Sequence, residues 1–281
     1  MKKTKVAFIY DFDETLSTTY MQDYLLIPKL GLKPETFWKR ANAWSIQNYA
    51  DQVMGSMYYF TKIAKEKEIC LSPDVLNECG KNIEYFEGVE TWFERINKYG
   101  RDLNLDIEHY IISSGYEEII EGCSIRKYFK DVIGCAFAFD QNGTPIWPAR
   151  VVNCQAKVQY LSKINKGLKK FDDKAVNEYI PDENRRIPFT RIIYFGDGMT
   201  DVPSMKMVKD RHGHAIAVYK PKSRKKCKAI QMLKDSRVDF ALPADYSEDK
   251  GIDRAVKTIL IRMAASRDLE RLQIEEHKKI K

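Results

Sequence analysis

The stretch that decides the fold of this chain is Asp11-Phe12-Asp13-Glu14-Thr15-Leu16, which follows the apolar run Val6-Ala7-Phe8-Ile9-Tyr10. An apolar run that ends in acidic residues predicts a buried strand followed by a loop. Side chains two positions apart in extended chain point the same way, so Asp11 and Asp13 would face one small volume and repel each other without a cation or a proton. The pattern indicates a metal or acid/base site, although aspartates at strand ends also have purely structural uses.

Three further apolar runs have strand character, at residues 109–112, 191–195 and 214–219. Helix-like segments lie between the runs, and this alternation predicts an α/β fold with a Rossmann-like, doubly wound parallel sheet. Ligands bind beyond the carboxyl ends of the strands in such sheets. Of the four apolar runs, the first three (6–10, 109–112 and 191–195) end in acidic or small polar turns, so we expect these turns to meet at one edge of the sheet.

The chain between the first two strands is far longer than one crossover helix requires. We therefore predict an inserted α-helical cap domain at residues 18–87, while 1–17 and 88–281 form the catalytic core. Helices are expected at 34–44, 48–66 and 72–85, with Ser72 as a cap. An Asn-Gly pair at 142–143 predicts a β-hairpin at the sheet edge, and 169–190 is expected to be a surface excursion.

Composition predicts a soluble protein, since hydrophobic residues make up 44% of the 281 residues and no apolar window is long enough for a membrane span. The start Met1-Lys2-Lys3 resembles a signal-peptide n-region, but only five apolar residues follow before Asp11 interrupts them, which favours the cytoplasm. The six cysteines contain no CxxC pair, which argues against a zinc knuckle or a redox dithiol. Reduced thiols are expected.

The formal net charge is +7, and its densest basic run covers residues 220–228. A solvated surface is the favoured interpretation of this run, because it is short and no nucleic-acid-binding module accompanies it. A nucleic-acid partner is therefore not expected, whereas a small phosphorylated substrate would benefit from the positive field. The sequence predicts no membrane partner, and it does not indicate an oligomeric state.

Ser113 and Ser114 follow the second predicted strand and precede a probable helix. Ser114 and Glu117 have the spacing of a capping box, which leaves Ser113 free. A hydroxyl beside the unpaired amides of a helix start is suited to bind an anion. Lys157 falls in the first turn of a helix that Asn153 could cap, where the helix dipole disfavours a cation unless an anion lies opposite.

The sequence Gly196-Asp197-Gly198-Met199-Thr200-Asp201 follows the third strand. Asp201 precedes Val202-Pro203 and could be a helix cap, but no structural role explains Asp197, which lies between two glycines where a cation can approach closely. Carboxylate ligands without a nearby histidine or cysteine favour magnesium over zinc.

Taken in order, these motifs resemble those of the haloacid dehalogenase superfamily, and the helical insert is similar to the cap of its phosphoserine-phosphatase-like branch. The motifs are DFDET, IISSG, a lysine that opens a helix, and GDGMTD. The resemblance implies a hydrolase that forms an aspartyl-phosphate on Asp11, with Asp13 as the proton donor and later the base. It implies that Mg²⁺ is bound by Asp11, the backbone carbonyl of Asp13 and Asp197, with Asp201 in support. Ser113, Ser114 and Lys157 would bind the phosphoryl group.

An aspartate two residues after the nucleophile separates the phosphatases and phosphomutases of this superfamily from its dehalogenases, and Asp13 stands at that position. The resemblance to phosphoserine phosphatases does not extend to the substrate. Tyr20 occupies about the position of their amine-binding glutamate, and the cap segment 53–60 has no arginine, although Asp23 and Arg40 are alternatives. Tyr20, Tyr24 or Trp44 could shape the pocket or belong to the core.

The predicted function is hydrolysis of a small phosphomonoester with Mg²⁺. Two alternatives remain open at this stage. One is a phosphotransferase or phosphomutase that passes the phosphoryl group to a second hydroxyl, and the other is a catalytically silent binding protein on the same fold.

Overall fold

A seven-stranded sheet lies at the centre of the computed structural model, which describes residues 3–223 and 225–279. The strands are arranged in the order β4-β3-β2-β1-β5-β6-β7, and all neighbouring pairs are parallel except β3 and β4. Their bounds are β1 (Thr4–Tyr10), β2 (Leu105–Tyr116), β3 (Phe129–Phe139), β4 (Pro145–Arg150), β5 (Ile192–Gly196), β6 (His214–Tyr219) and β7 (Phe240–Pro243).

Strand β1 lies between β2 and β5, and this position explains its unbroken apolar sequence. Ile9 is paired with Tyr110 on one side and with Tyr194 on the other. Residues 6–10 are fully buried, as expected for a strand covered on both faces of a parallel sheet. Tyr10 stacks on Phe195 with ring centroids 4.6 Å apart, so the strand that carries the acidic motif is rigidly held.

Eleven α-helices surround the sheet or form the insert in the described part of the chain. They are α1 (Met21–Tyr24), α2 (Leu26–Lys29), α3 (Pro34–Gln47), α4 (Gln52–Glu66), α5 (Pro73–Gly80), α6 (Val89–Asp102), α7 (Glu117–Glu121), α8 (Cys154–Lys166), α9 (Val202–Asp210), α10 (Lys225–Lys234) and α11 (Gly251–Lys279). The crossovers β1-α6-β2 and β5-α9-β6 run in opposite directions along the sheet. Right-handed crossovers therefore place α6 and α9 on opposite faces, which makes the fold doubly wound.

The predicted α/β fold class is confirmed, as are all four predicted strands and the hairpin at the sheet edge. The parallel part of β3 was not predicted, because it continues into the hairpin without a turn. Strand β7 was not predicted either, because it is short and its side chains are only partly buried. The helix predicted at 48–66 begins at Gln52 because Asp51 caps it, and the helix predicted at 72–85 ends at Gly80.

The insert leaves and rejoins the core through two adjacent segments of chain. Thr18 donates a backbone hydrogen bond to the carbonyl of Glu84 at 3.0 Å, and Phe86 donates one to Leu16 at 2.9 Å. Helices α1 to α5 lie between these points. The division into a core at 1–17 and 88–281 and a cap at 18–87 stays a prediction, and the paired segments are compatible with it.

Some predictions fall partly on residues that the structure does not describe. The basic run at 220–228 contains Arg224, and the amino-terminal Met1-Lys2-Lys3 contains two such residues, Met1 and Lys2. Within 3–223 and 225–279, no helix combines the length and the apolar character needed to cross a membrane.

Candidate active site

Asp11 follows β1 directly and lies at the carboxyl end of the sheet. Its backbone N–H donates to the carbonyl of Phe195 at 2.9 Å, which extends the pairing with β5 by one residue and fixes the direction of the side chain. The residue is only 6% exposed. A carboxylate held this deeply requires a cation or a proton nearby.

Lys157 supplies that cation from α8. Its ammonium nitrogen lies 2.9 Å from Asp11 Oδ1 and 2.7 Å from Asp201 Oδ1, and the side chain is fully buried. Burial alone would lower the pKa of Lys157, but the carboxylates of Asp11 and Asp201 raise it above its ordinary value, so the lysine stays charged. Asn153 caps α8 as predicted, by accepting from the backbone N–H groups of Gln155 and Ala156.

Asp201 precedes α9 but does not cap it with its side chain, so the predicted structural role is wrong. Its carboxylate instead accepts from Lys157 and, at 2.8 Å, from the hydroxyl of Tyr194. Burial and the charge of Asp11 raise the pKa of Asp201 to about 7, while Lys157 opposes the rise. A Cβ atom at Gly196 would lie 2.6 Å from Asp201 Cγ, so glycine is required there for the carboxylate to reach the lysine.

Asp13 lies beyond Asp11 at the start of the insert. Its Oδ1 accepts a 2.8 Å hydrogen bond from the backbone N–H of Met21, the first residue of α1. Burial and the negative charge of Asp11 raise the pKa of Asp13 well above its ordinary value. This shift favours the protonated carboxyl group, which general acid catalysis requires.

Asp197 belongs to the same cluster and is paired with a residue that the sequence analysis missed. Lys225 Nζ lies 2.9 Å from Asp197 Oδ2 and also forms an ion pair with Glu14. Burial raises the pKa of Asp197 to about 6, although Lys225 lowers it. The basic run at 220–228 was interpreted as a solvated face, and for Lys225 that interpretation is wrong.

The two serines after the second predicted strand lie within β2 itself. Ser113 is buried, and its hydroxyl oxygen accepts from the backbone N–H of Gly115 at 3.0 Å, which leaves its proton free to donate. Ser114 donates to the carbonyl of Val152 at 2.7 Å. The predicted capping box is wrong, because β2 continues to Tyr116 and Glu117 is paired with Arg150 and Lys170.

A cavity of about 310 Å³ brings most of these residues together at the carboxyl edge of the sheet. Its described lining includes Asp11, Asp13, Ser113, Ser114, Tyr20, Asp197, Lys225 and Lys228. Lys157 is absent from this lining and reaches the site from behind Asp11. The sequence thus predicted the members of one real cluster, and their catalytic roles stay predictions.

The residues of the cluster fit a divalent cation. Carboxylate oxygens of Asp11, Asp197 and Asp201 lie within 4.8 Å of one another. Asp11 Oδ1 is buried, and its ion pair with Lys157 lacks the direction of a hydrogen bond, so this oxygen retains acceptor capacity. Asp201 is already held by Lys157 and Tyr194. This donor set of hard oxygens suits magnesium.

Comparisons with known proteins find a related sequence and related folds. An uncharacterised protein of Borreliella burgdorferi is 26% identical over 271 residues, which cover 86% of this chain and 92% of that protein. A substrate-bound phosphoserine phosphatase covers 88% of this chain and 96% of its own, with a TM-score of 0.55 and 16% identity. A second structure is described as a phospho-aspartyl intermediate analogue of phosphoserine phosphatase. The match covers 91% of this chain and 99% of that chain, with a TM-score of 0.57 and 16% identity.

The two phosphatase structures show a shared fold. At 16% identity, structural similarity does not show a shared activity. The family itself is identified from the sequence. The family described as haloacid dehalogenase-like hydrolase matches residues 8–206, which include the last three residues of β1, the insert, β2, α8 and the segment with Asp197 and Asp201. The chain therefore belongs to the haloacid dehalogenase-like hydrolases.

Proposed function

We propose that this hydrolase is a magnesium-dependent phosphatase that cleaves a small phosphomonoester through an aspartyl-phosphate on Asp11. The observation that carries the proposal is that the buried carboxylate of Asp11 opens on the same cavity as Asp13, Ser113 and Asp197. The fold shared with phosphoserine phosphatases supports a small phosphorylated substrate. The phospho-aspartyl analogue known for one of them supports an intermediate of that kind.

In the first step, an Asp11 oxygen forms a bond to phosphorus while the bond between phosphorus and the leaving oxygen breaks. Asp13 gives its proton to the leaving oxygen, and the alcohol departs. The raised pKa of Asp13, caused by burial and by the charge of Asp11, supports this role because the group must be protonated when the step begins.

In the second step, a water oxygen attacks phosphorus, and the ionised Asp13 takes the water proton. The bond between Asp11 and phosphorus breaks, which releases inorganic phosphate and restores both carboxyl groups. Ser113 would donate its free proton to a phosphoryl oxygen, and Lys157 would offset negative charge from behind the nucleophile.

Asp11, the backbone carbonyl of Asp13 and Asp197 would hold magnesium, which when bound supplies positive charge to the phosphoryl oxygens. Asp201 would act in support by holding Lys157 in place. A cytoplasmic location is part of the proposal, and the six unpaired cysteines support a reducing compartment.

The test is phosphate release from para-nitrophenyl phosphate. We expect turnover with Mg²⁺, loss of turnover in excess chelator and recovery when Mg²⁺ is added back. The Asp11→Asn variant should lose activity by about a thousandfold or more, because asparagine is not a competent nucleophile. Asp106→Asn is the matched control, since Asp106 lies at the opposite end of β2 in an ion pair with Lys5, and it should keep full activity.

Turnover that survives excess chelator would contradict the metal assignment, and activity in Asp11→Asn would contradict the nucleophile. Equal amounts of nitrophenol and phosphate, also in the presence of added alcohols, are expected for transfer to water. An excess of nitrophenol over phosphate would indicate a phosphotransferase instead.

A further inference from the structure

A second cavity, which we call the cap cavity, adjoins the catalytic cavity on the side of the insert. Its volume is about 270 Å³, and both cavities are lined by Asp13, Tyr20 and Ser114. The other described lining residues come from α1, α3 and α4: Gln22, Trp38, Asn42, Gln52, Val53 and Ser56. A phosphoryl group beside Asp11 and Asp13 would therefore direct its alcohol portion into this space.

Apart from Asp13, the polar groups in the described lining of the cap cavity are uncharged. Gln22 and Ser56 are buried, with exposed fractions of 3% and 8%, whereas Asn42 and Gln52 are exposed at the rim. Asp13, which belongs to the catalytic cluster, is the one charged residue in the described lining. Amides and a hydroxyl of this kind bind hydroxyl and amide groups and do not neutralise charges.

The side-chain oxygen of Gln22 is a buried hydrogen-bond acceptor in a residue that lines the cavity. Among the residues that the structure describes, no group donates a hydrogen bond to Gln22 Oε1, although this atom is buried. An unsatisfied buried acceptor costs about 1–3 kcal/mol. Gln22 also lines the cap cavity, so a rotation of its amide toward a hydroxyl or amide donor on a bound ligand would remove that cost.

Tyr20 and Trp38 form the apolar wall, with ring centroids 5.3 Å apart in an edge-to-face arrangement. Trp38 donates from Nε1 to Asp23 Oδ1 at 2.8 Å, which fixes the indole and satisfies that carboxylate. Neither Asp23 nor Arg40, the two charged residues considered from the sequence, lines the cap cavity in its described part. Tyr24 and Trp44 do not line it either.

We propose that the cap cavity selects phosphomonoesters of uncharged alcohols that carry further hydroxyl or amide groups. The inference rests on the proposed function and adds the substrate class to it. Apart from Asp13, which the proposed reaction uses as the acid, the described lining offers no counter-ion to an ammonium or carboxylate on the leaving group, and burying an unpaired charge carries a large penalty. Phosphoserine, which carries both groups, is disfavoured on this ground.

The test compares four esters of similar size whose leaving groups differ in charge. They are glycerol 3-phosphate (neutral), phosphoethanolamine (positive), 3-phosphoglycerate (negative) and phosphoserine (both charges). We expect kcat/KM for glycerol 3-phosphate to exceed that of each charged ester by about tenfold or more. A charged ester that is cleaved as well as the neutral one would overturn the inference.

Variants at Gln22 tie the selectivity to this cavity. Gln22→Leu should lower the ratio of kcat/KM for glycerol 3-phosphate to that for para-nitrophenyl phosphate by about tenfold, since leucine cannot accept the hydrogen bond. Gln22→Glu should shift the preference toward phosphoethanolamine by introducing a counter-ion. An unchanged order of substrates in both variants would refute the assignment.

Arg40→Gln is the matched control, because Arg40 is exposed on α3 outside the described lining. It should leave the order of the four esters unchanged, and a selective change in turnover of 3-phosphoglycerate would contradict the inference. Failure of the proposed function and failure of the cap-cavity proposal give different results. Wild-type protein that does not cleave para-nitrophenyl phosphate refutes the phosphatase, whereas cleavage of it with a preference for charged esters refutes only the cap-cavity proposal.

Discussion

Lys157 offers the most direct test of the electrostatics of the site, because its buried ammonium separates two buried carboxylates. We expect Lys157→Met, which keeps most of the length of the side chain but removes the charge, to destabilise the fold. The variant leaves Asp11 and Asp201 facing each other without the cation that lies 2.9 and 2.7 Å from them. Removal of one partner from a buried ion pair costs about 3–5 kcal/mol.

The pH dependence of this cost follows from Asp201, whose pKa burial and the charge of Asp11 raise to about 7. A carboxyl group with a raised folded-state pKa stabilises the fold below its unfolded-state pKa, and this contribution is lost as the pH rises through the folded-state value. Lys157 opposes the rise. Its removal therefore costs more near pH 8, where Asp201 is largely ionised in the wild type, than near pH 5.5, where Asp201 binds a proton.

The assay is equilibrium urea unfolding in chelator at the two pH values, with wild type and variant compared at each. Asp201→Asn should recover part of the loss when combined with Lys157→Met, because it removes one of the two charges. Lys206→Met is the matched control, since Lys206 forms an exposed ion pair with Asp210 on α9, and it should cost no more than about 0.5 kcal/mol. A Lys157→Met protein as stable as wild type, or a loss that is equal at both pH values, would refute the reasoning.

Two further predictions concern groups outside the cavity. Asp51→Ala should cost about 1–2 kcal/mol in urea unfolding, because Asp51 caps α4 and accepts from Asn153; a loss under about 0.3 kcal/mol would contradict this. Burial lowers the pKa of His109 to about 3, so its stabilising contribution, present above about pH 6.5, is lost as the pH falls toward 3. His109→Gln should therefore show a smaller stability loss between pH 7 and 5 than wild type, and equal losses would refute this.

Local sequence was sufficient to predict four strands of the sheet, the hairpin at its edge and the cluster of carboxylates. An unbroken apolar run is fully buried only at the centre of a parallel sheet, and β1 lies there. The turns after parallel strands meet at one edge by topology, so the positions of Asp11, Ser113 and Asp197 along the chain implied their proximity.

The predictions failed where a side chain had two plausible partners. Ser114 and Glu117 have capping-box spacing, yet Arg150 and Lys170 bind Glu117 more strongly than a backbone N–H would, because both carry a charge. The spacing before α9 likewise predicted that Asp201 caps the helix. Its carboxylate instead accepts a hydrogen bond from the buried Lys157, which lies 44 residues earlier in the chain.

Lys225 and Gln22 could not be found from the sequence. Lys225 is one of several lysines in a short run, and what distinguishes it is its contact with Glu14 and Asp197, which lie far away in the chain. Gln22 is an ordinary polar residue in a helix of four residues, and its unpartnered oxygen is visible only once α3 and α4 are packed around it.

The charges of the site explain why a divalent cation and a cap belong together in the proposed function. Five carboxylates and three ammonium groups meet at the sheet edge, which leaves two negative charges when all eight are ionised: Asp11, Asp13, Glu14, Asp197, Asp201, Lys157, Lys225 and Lys228. Such a surplus repels a phosphate ester until a divalent cation offsets it. The core therefore controls whether a phosphoryl group binds, independently of the alcohol attached to it. Discrimination between alcohols is left to the cap cavity, whose described lining is uncharged apart from Asp13 and where Gln22 contributes a hydrogen-bond acceptor and no net charge.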